Sequence, residues 1–479
     1  MSETQPLRHT HVVKTKIVAT LGPSSSDKEM IIRMLNAGMT VARFNMSHGD
    51  LESHANLMRT ARAAAKEARK PLAILQDLSG PKIRIGDLET EEVTLRDGEK
   101  FTLTTQKCVG NEHRVWVNYK KLPKEVPVGT HIFLHDGKIQ LKILEVTDTE
   151  IHTEVINGGT IRGRRGVNVP DAHLTLSTLT PKDKKDAVFG MEHGVDIFTL
   201  SFVREAKDIH QLRKLLAKRP NAMIAAKIET KAAIENLDEI LDAADAVMVA
   251  RGDLAIEVPP EKVPLLQKKI IRAANRAGKP VITATQMLDS MRVSTVPTRA
   301  EVNDIANAIL DGTDAVMLSD ETAVGAHPAR AISVMSRVAR QVESSEHFAE
   351  LIQVWDFKPK TRCDAVSRSI TKTAINLNAK TIVAFSESGY TGRMVARYRP
   401  LVPILVLTPN KEAFNQSLLT YGCEPVLVRK VMHLSEAQRV ARKILKEKGL
   451  CEEGDVFVLG AGIPFGEPGS TNMMLVERM

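Results

Sequence analysis

What the 479-residue chain has little of narrows the reading first. Phe, Tyr and Trp make up only 4% of it, so the stacked aromatics of RNA-binding surfaces are missing, although the formal net charge is +8. Small anionic molecules suit this basic chain equally well, and a nucleic-acid partner is not expected. Four cysteines, Cys108, Cys363, Cys423 and Cys451, stand far apart with no CxxC pair. That argues against a disulfide framework or structural zinc and for a reducing, cytoplasmic setting. No apolar run is long enough to cross a bilayer, and the polar opening MSETQPLRHTHVVKTK lacks the apolar stretch of a secretory signal. A membrane partner is not expected. Neither a GxxxxGK[ST] loop nor a kinase-type glycine-rich loop is present, so a nucleotide would have to be held another way.

What is there is a rhythm. The length exceeds one compact core, and short β-rich runs alternate with amphipathic segments, the signature of βα units. The runs KIVATLG, TVARFNM and LAILQDL come first, with helices expected from near Asp27 and Asp50. DIFTLSF, MIAAKIE, AVMVARGDL, PVITATQM and AVMLSDET follow after a gap. Eight such units predict a closed (β/α)8 TIM barrel over residues 1–81 and 172–353. The gap, residues 82–171, reads as short alternating strands with Asp-Gly turns, an all-β domain inserted after strand 3. After a linker at IQVWDFKPKTRC, a C-terminal α/β domain over 354–479 carries TIVAFS, PILVLT, EPVLV and DVFVLG.

Barrel active sites form at the C-terminal strand ends, so the polar residues there are read for function. Strand 2 ends in Arg43, Asn45, Ser47 and His48; strand 3 in Asp77; strand 5 in Lys227 and Glu229. Strand 6 gives Arg251, Gly252 and Asp253; strand 7 Thr285 and Gln286; strand 8 Ser319 and Glu321. Any one of the Ser, Asn or Thr residues is ordinarily a cap or turn residue, but the clustering at one end is not explained that way. Glu229 and Asp253 are hard oxygen ligands suited to a magnesium ion that keeps waters and substrate oxygens. Lys227 shares a strand face with Glu229. A metal, a lysine and an arginine at one mouth are what phosphoryl transfer requires, since stabilising the charge on the moving group is most of that chemistry.

The stretches KIVATLGPSS, ARFNMSHG, DLSGPKIR, AAKIET, MVARGDLAIEV, TATQMLDSM and PTRAEVNDIANAILDGTDAVMLSDET together resemble the pyruvate kinase family. The resemblance runs from the first barrel strand to the eighth, with the insertion in the family's place. It implies transfer of the phosphoryl group of phosphoenolpyruvate to ADP, with Mg (or Mn) as cofactor and a β-barrel lid in the insertion. By position, Lys227 would stabilise the phosphoryl group in flight and Arg43 would contact it, while Glu229 and Asp253 hold the divalent ion. The amides of Gly252 and Asp253 would hold the substrate carboxylate, and Thr285 would orient enolate protonation. Arg84, with Asn45 and His48, would meet ADP.

The resemblance also implies a potassium site at Asn45, Ser47, Asp77 and the backbone of Leu78. Potassium-dependent members carry glutamate where Lys82 stands, so here the ammonium is expected to replace the ion. In the C-terminal domain, SESGYTGR resembles an effector phosphate loop, with Ser386, Ser388, Gly389 and Thr391 as candidates for a sugar monophosphate or AMP. A homotetramer is expected from the family. A different phosphoenolpyruvate-using barrel, or a non-catalytic binding protein, are the rival readings. The first does not need the insertion, and the second does not need the set Lys227, Glu229 and Asp253. Asp320 stands where a small residue is usual and is expected to face away from the mouth.

Overall fold

Eight strands, β1 (Lys16–Thr20), β2 (Val41–Asn45), β3 (Ala73–Asp77), β4 (Ile197–Leu200), β5 (Met223–Ile228), β6 (Ala246–Ala250), β7 (Val281–Ala284) and β8 (Ala315–Leu318), close into a barrel. All pair in parallel, and β1 meets β8. The computed structural model describes residues 13–172, 174–354, 357–467 and 469–479. The polar opening up to residue 12 and the linker residues 355–356 lie outside the described residues.

Strand alternation decides what fills the barrel. Val18, Val41, Leu75, Ile197, Met223, Ala225, Ala246, Met248, Ile282 and Met317 share one inner cluster. Continuing with period two, the same faces reach Thr20, Arg43, Asp77, Thr199 and Lys227, so an apolar floor gives way to a polar mouth. The floor is closed from below by Leu418 and Leu419 of the C-terminal domain, which belong to that inner cluster. Asp27 and Asp50 cap the helices Lys28–Ala37 and Leu51–Ala68, as their positions before amphipathic runs predict.

The insertion is all-β apart from a single turn, Leu122–Glu125. Among the described residues its strands form a six-stranded sheet and a two-stranded ribbon, and the bridges Arg84–Gly166 and Ile85–Val117 join the two edges of that sheet. The C-terminal domain holds the four predicted strands in parallel and a fifth, Thr471–Arg478, paired antiparallel at the edge. The expected linker is partly helical, because Glu346–Val354 runs into it and Arg362 already opens the helix Arg362–Asn376.

A buried ion pair staples the C-terminal domain to the barrel floor. Arg399 is 1% exposed. Its Nη1 and Nη2 lie 3.0 and 2.9 Å from the two carboxylate oxygens of Asp314, and Nη2 also donates to Asn275 at 2.6 Å.

Candidate active site

The register of the strands sets the contacts at the mouth. Thr20 stands beside Arg43, and Asp77 beside both Asn45 and Thr199. Accordingly Arg43 donates to Thr20 Oγ1 at 2.8 Å and, through Nε and Nη2, to Asp77 Oδ2 at 2.9 and 2.6 Å. Thr199 takes the other Asp77 oxygen at 2.7 Å. Both oxygens of the buried Asp77 are thus engaged.

Lys227 extends from β5 into the same space. Its Nζ donates to Ser201 Oγ at 2.9 Å and lies 3.1 Å from Glu229 Oε2 and 3.8 Å from Asp77 Oδ1. Burial works against this ammonium, but Asp77, Glu229 and Asp253 together hold its pKa above the ordinary lysine value. Glu229 is fully buried. Its Oε1 accepts the Phe202 amide at 2.7 Å, whereas Oε2 has no hydrogen-bond donor and only the off-axis charge of Lys227. Burial pushes the Glu229 pKa up to about 7, with Lys227 opposing the shift and Asp253 adding to it.

Glu229, with Asp253 as its partner ligand, fits a divalent ion, since a buried carboxylate oxygen without a donor is costly unless something positive takes it. Among the described residues no group of three or more His, Cys, Asp or Glu side chains forms a cage. Two carboxylates suit magnesium, which keeps waters and substrate oxygens in its shell.

A cavity of about 130 Å³ gathers most of the residues read from the sequence, among them Arg43, Asn45, Asp77, Lys227, Asp253 and Thr285. Ser47, His48, Leu78, Lys82, Arg84 and Ser319 also line it. Several are committed to other partners. Asn45 Oδ1 accepts the Ser47 amide at 3.1 Å, and the Leu78 carbonyl accepts Ser201 Oγ at 2.7 Å. The His48 carbonyl accepts His54 Nε2 at 2.8 Å. Arg84 donates to the Arg164 carbonyl of the insertion at 2.9 Å.

Lys82 reaches the cavity because of its turn. Gly80 has φ +66, and a Cβ there would come 2.8 Å from the Phe202 ring, so glycine is required on both counts. The Gly80 amide is tied to Asp183 at 3.1 Å. No carboxylate among the described residues pairs with the Lys82 ammonium; its own carbonyl accepts Asn118 at 3.2 Å.

Some expectations change. The Gly252 amide does not face an open site, because it donates to Thr285 Oγ1 at 2.9 Å. Thr285 has φ +72, unusual for a β-branched residue. The strain is held where the hydroxyl bridges β7 to the helix Arg251–Glu257. Glu321 is a brace: its two oxygens accept the Ser319 and Leu288 amides at 2.7 and 3.1 Å. Asp320 is on the surface, 3.8 Å from Arg292, away from the mouth as strand alternation anticipates. Sequence reasoning missed the end of β4, where Thr199, Ser201 and the Phe202 amide hold Asp77, Lys227 and Glu229. The signal was the Ser following the buried run IFTL.

In the C-terminal domain a small cavity is lined by Ser386, Glu387 and Thr391 but not by Ser388 or Gly389. Ser388 instead gives its carbonyl to Arg393 at 3.0 Å, and Gly389, at φ +72, precedes the short helix Tyr390–Ala396. Arg429 lines the same cavity. A Cβ on Gly466 would fall 3.1 Å from Lys430 Nζ and 3.9 Å from Glu387 Oε1, so Lys430 offsets the repulsive charge of Glu387. Neither cation was anticipated.

A closed parallel barrel whose mouth sets a buried lysine, an arginine and Asp253 around one cavity, with the buried Glu229 against the lysine, defines a phosphotransferase. The pyruvate kinase barrel domain matches residues 12–332, and the pyruvate kinase alpha/beta domain matches residues 364–477. The chain is 44% identical over 466 residues to the pyruvate kinase of Thermotoga maritima, covering 97% of this chain and 99% of that protein. It is 43% identical over 469 residues to that of Geobacillus stearothermophilus, covering 97% and 80%. A crystal structure of a pyruvate kinase from Cryptosporidium parvum superposes with a TM-score of 0.91 at 36% identity, covering 97% of this chain and 96% of that one. The chain belongs to the pyruvate kinase family.

Proposed function

We propose that the chain transfers the phosphoryl group of phosphoenolpyruvate to ADP with a divalent ion, giving pyruvate and ATP. The observation that carries this reading is Lys227, held charged at the centre of the mouth by Asp77 and Glu229. A bound magnesium ion, held by Glu229 and Asp253, supplies positive charge to the phosphate and enolate oxygens. Lys227 neutralises charge that develops on the phosphoryl group, and the preorganised Arg43 binds it from the other side. With the Gly252 amide given to Thr285 Oγ1, the Asp253 amide is left to orient the substrate carboxylate, and Thr285 reaches the enolate by turning its hydroxyl away from the Ala284 carbonyl, 2.6 Å off. Arg84, Asn45 and His48 form the nucleotide side, and the insertion acts as the lid. A coupled assay of ATP formation with magnesium tests this; a folded sample without turnover rejects it.

Potassium independence is part of the proposal. Three of the expected potassium ligands, Asp77, Asn45 Oδ1 and the Leu78 carbonyl, already accept protein donors. Lys82 brings an unpaired charge to the same cavity and needs no coordination shell.

Arg429, which lines the C-terminal cavity with Ser386 and Thr391, and Lys430 beside Gly466 support an anionic effector there, with a sugar monophosphate or AMP as the class. The cavity offers about 30 Å³, so its wall at Phe465 and Gly466 has to open to admit it. The antiparallel edge strand Thr471–Arg478 exposes Met474 and Val476, which favours pairing with a second copy within a homotetramer. A cytoplasmic setting follows from this reading.

A further inference from the structure

The helix Arg251–Glu257 carries more than the metal-type carboxylate at its first turn. Asp253 and Glu257, four residues apart, share a helix face, and both line a cavity of about 650 Å³ between the insertion and the barrel. The insertion rests on this helix at two points. A Cβ on Gly137, at the tip of the His135–Gly137 turn, would lie 3.6 Å from Ile256. On the return strand, Asn168 lines the same cavity as Lys231 and the Glu257 carboxylate, and its side chain and the Lys231 amide favour the charged form of that carboxylate. Three residues beyond Asn168, Asp171 pairs with Lys231 Nζ at 3.2 Å. Glu257, Asn168, Lys231 and Asp171 therefore form one cluster that joins the insertion, the loop after β5 and the helix that begins at Arg251.

We propose that Glu257 is a positioning residue that latches the inserted domain onto the helix bearing Asp253, so that closing the insertion and setting the Asp253 carboxylate are one event. This rests on the phosphotransfer reading, in which the insertion covers the nucleotide and Asp253 holds the ion. The physical argument is leverage. The helix spans less than two turns, so a pull at Glu257 reaches Asp253 through the intervening backbone hydrogen bonds with little room to dissipate. The insertion and that helix are far apart along the chain, and the contacts at Ile256 and Glu257 couple them directly.

The charge of Glu257 matters to the latch. Burial pushes its pKa up to about 7, the Asn168 side chain and Lys231 amide favour the charged form, and Asp253 and Asp171 oppose it. Lys231 is the cation of the cluster, and Asp136 of the hairpin tip lines the same cavity. As pH falls through 7 the carboxylate takes up a proton and becomes a weaker acceptor for Asn168, so the latch loosens on the acid side.

Glu257→Gln, Asn168→Ala and the double variant test the latch. Each single change is expected to raise the KM for ADP about fivefold, and the double variant to be no worse than the poorer single one, because the two groups act as a pair. Glu257→Gln should also remove an acid limb near pH 7 from the ADP dependence. Losses that simply multiply, or an unaltered pH profile, overturn the proposal. Hydrogen exchange without substrates gives an independent reading. The latch predicts faster exchange at the amides of residues 136–137 and 167–168 in Glu257→Gln than in the native protein, and equal protection overturns it. If the native chain makes no ATP, the phosphotransfer reading falls while exchange still decides the latch.

Discussion

Lys227 Nζ and Glu229 Oε2 lie 3.1 Å apart in the buried mouth of the barrel, and the same burial has opposite outcomes for the two. Three surrounding carboxylates keep the lysine charged, while the glutamate rises to about 7. The lysine is thus a fixed cation, and the glutamate is the group that yields to a proton or to a metal.

Replacing Lys227 with Met should lower turnover far more than it weakens phosphoenolpyruvate binding, because the ammonium acts mainly on charge in the transition state. Losing such a donor typically costs roughly 10²-fold or more in kcat. Steady-state kinetics with a separate binding titration check this, and near-normal turnover rules the role out.

Glu229→Gln and Asp253→Asn should each raise the half-saturating magnesium concentration without unfolding the barrel, since each removes ligand charge and keeps shape. The native protein should itself bind magnesium more weakly as pH falls from 8 to 6. A proton on Glu229 competes with the ion below its raised pKa of about 7 and is absent above it. Metal titrations across that range are the measurement; a flat affinity places the ion elsewhere.

Much of this site was legible in the sequence, for a physical reason. A strand buried inside a closed barrel reads as an apolar run, and its catalytic end is the point where the run breaks into Arg43, Asp77 or Lys227. The Thr199 and Ser201 contribution was hidden because a single hydroxyl after IFTL looks like any strand end. The edge strand Thr471–Arg478 escaped because its half-exposed alternation follows a Gly- and Pro-rich loop. Arg429 and Lys430 are cations in a loop, and only the fold brings Arg429 to the cavity that Thr391 lines and Lys430 to Gly466.

In the C-terminal domain, activity at low phosphoenolpyruvate should rise with a sugar monophosphate or AMP. Arg429→Glu should abolish that response while sparing the rate at saturating substrate. A panel of phosphorylated metabolites decides it, and a native enzyme that responds to none of them rejects the site.

Arg399→Met should destabilise the protein by about 3 kcal/mol or more, because it strands the buried Asp314 carboxylate without its ion partner. Thermal unfolding of native and variant protein measures this. An unchanged midpoint would mean that the backbone amides of Val281 and Tyr421 satisfy Asp314 alone.

The most direct test of the account is the rate of ATP formation from phosphoenolpyruvate and ADP, with magnesium, in tetramethylammonium buffer with and without added potassium. The account predicts full activity of the native enzyme without potassium, and for Lys82→Glu either a potassium requirement or loss of most activity, since the ammonium supplies the one positive charge that the ion would bring. Strong activation of the native enzyme by potassium, or indifference of the rate to Lys82, would contradict it.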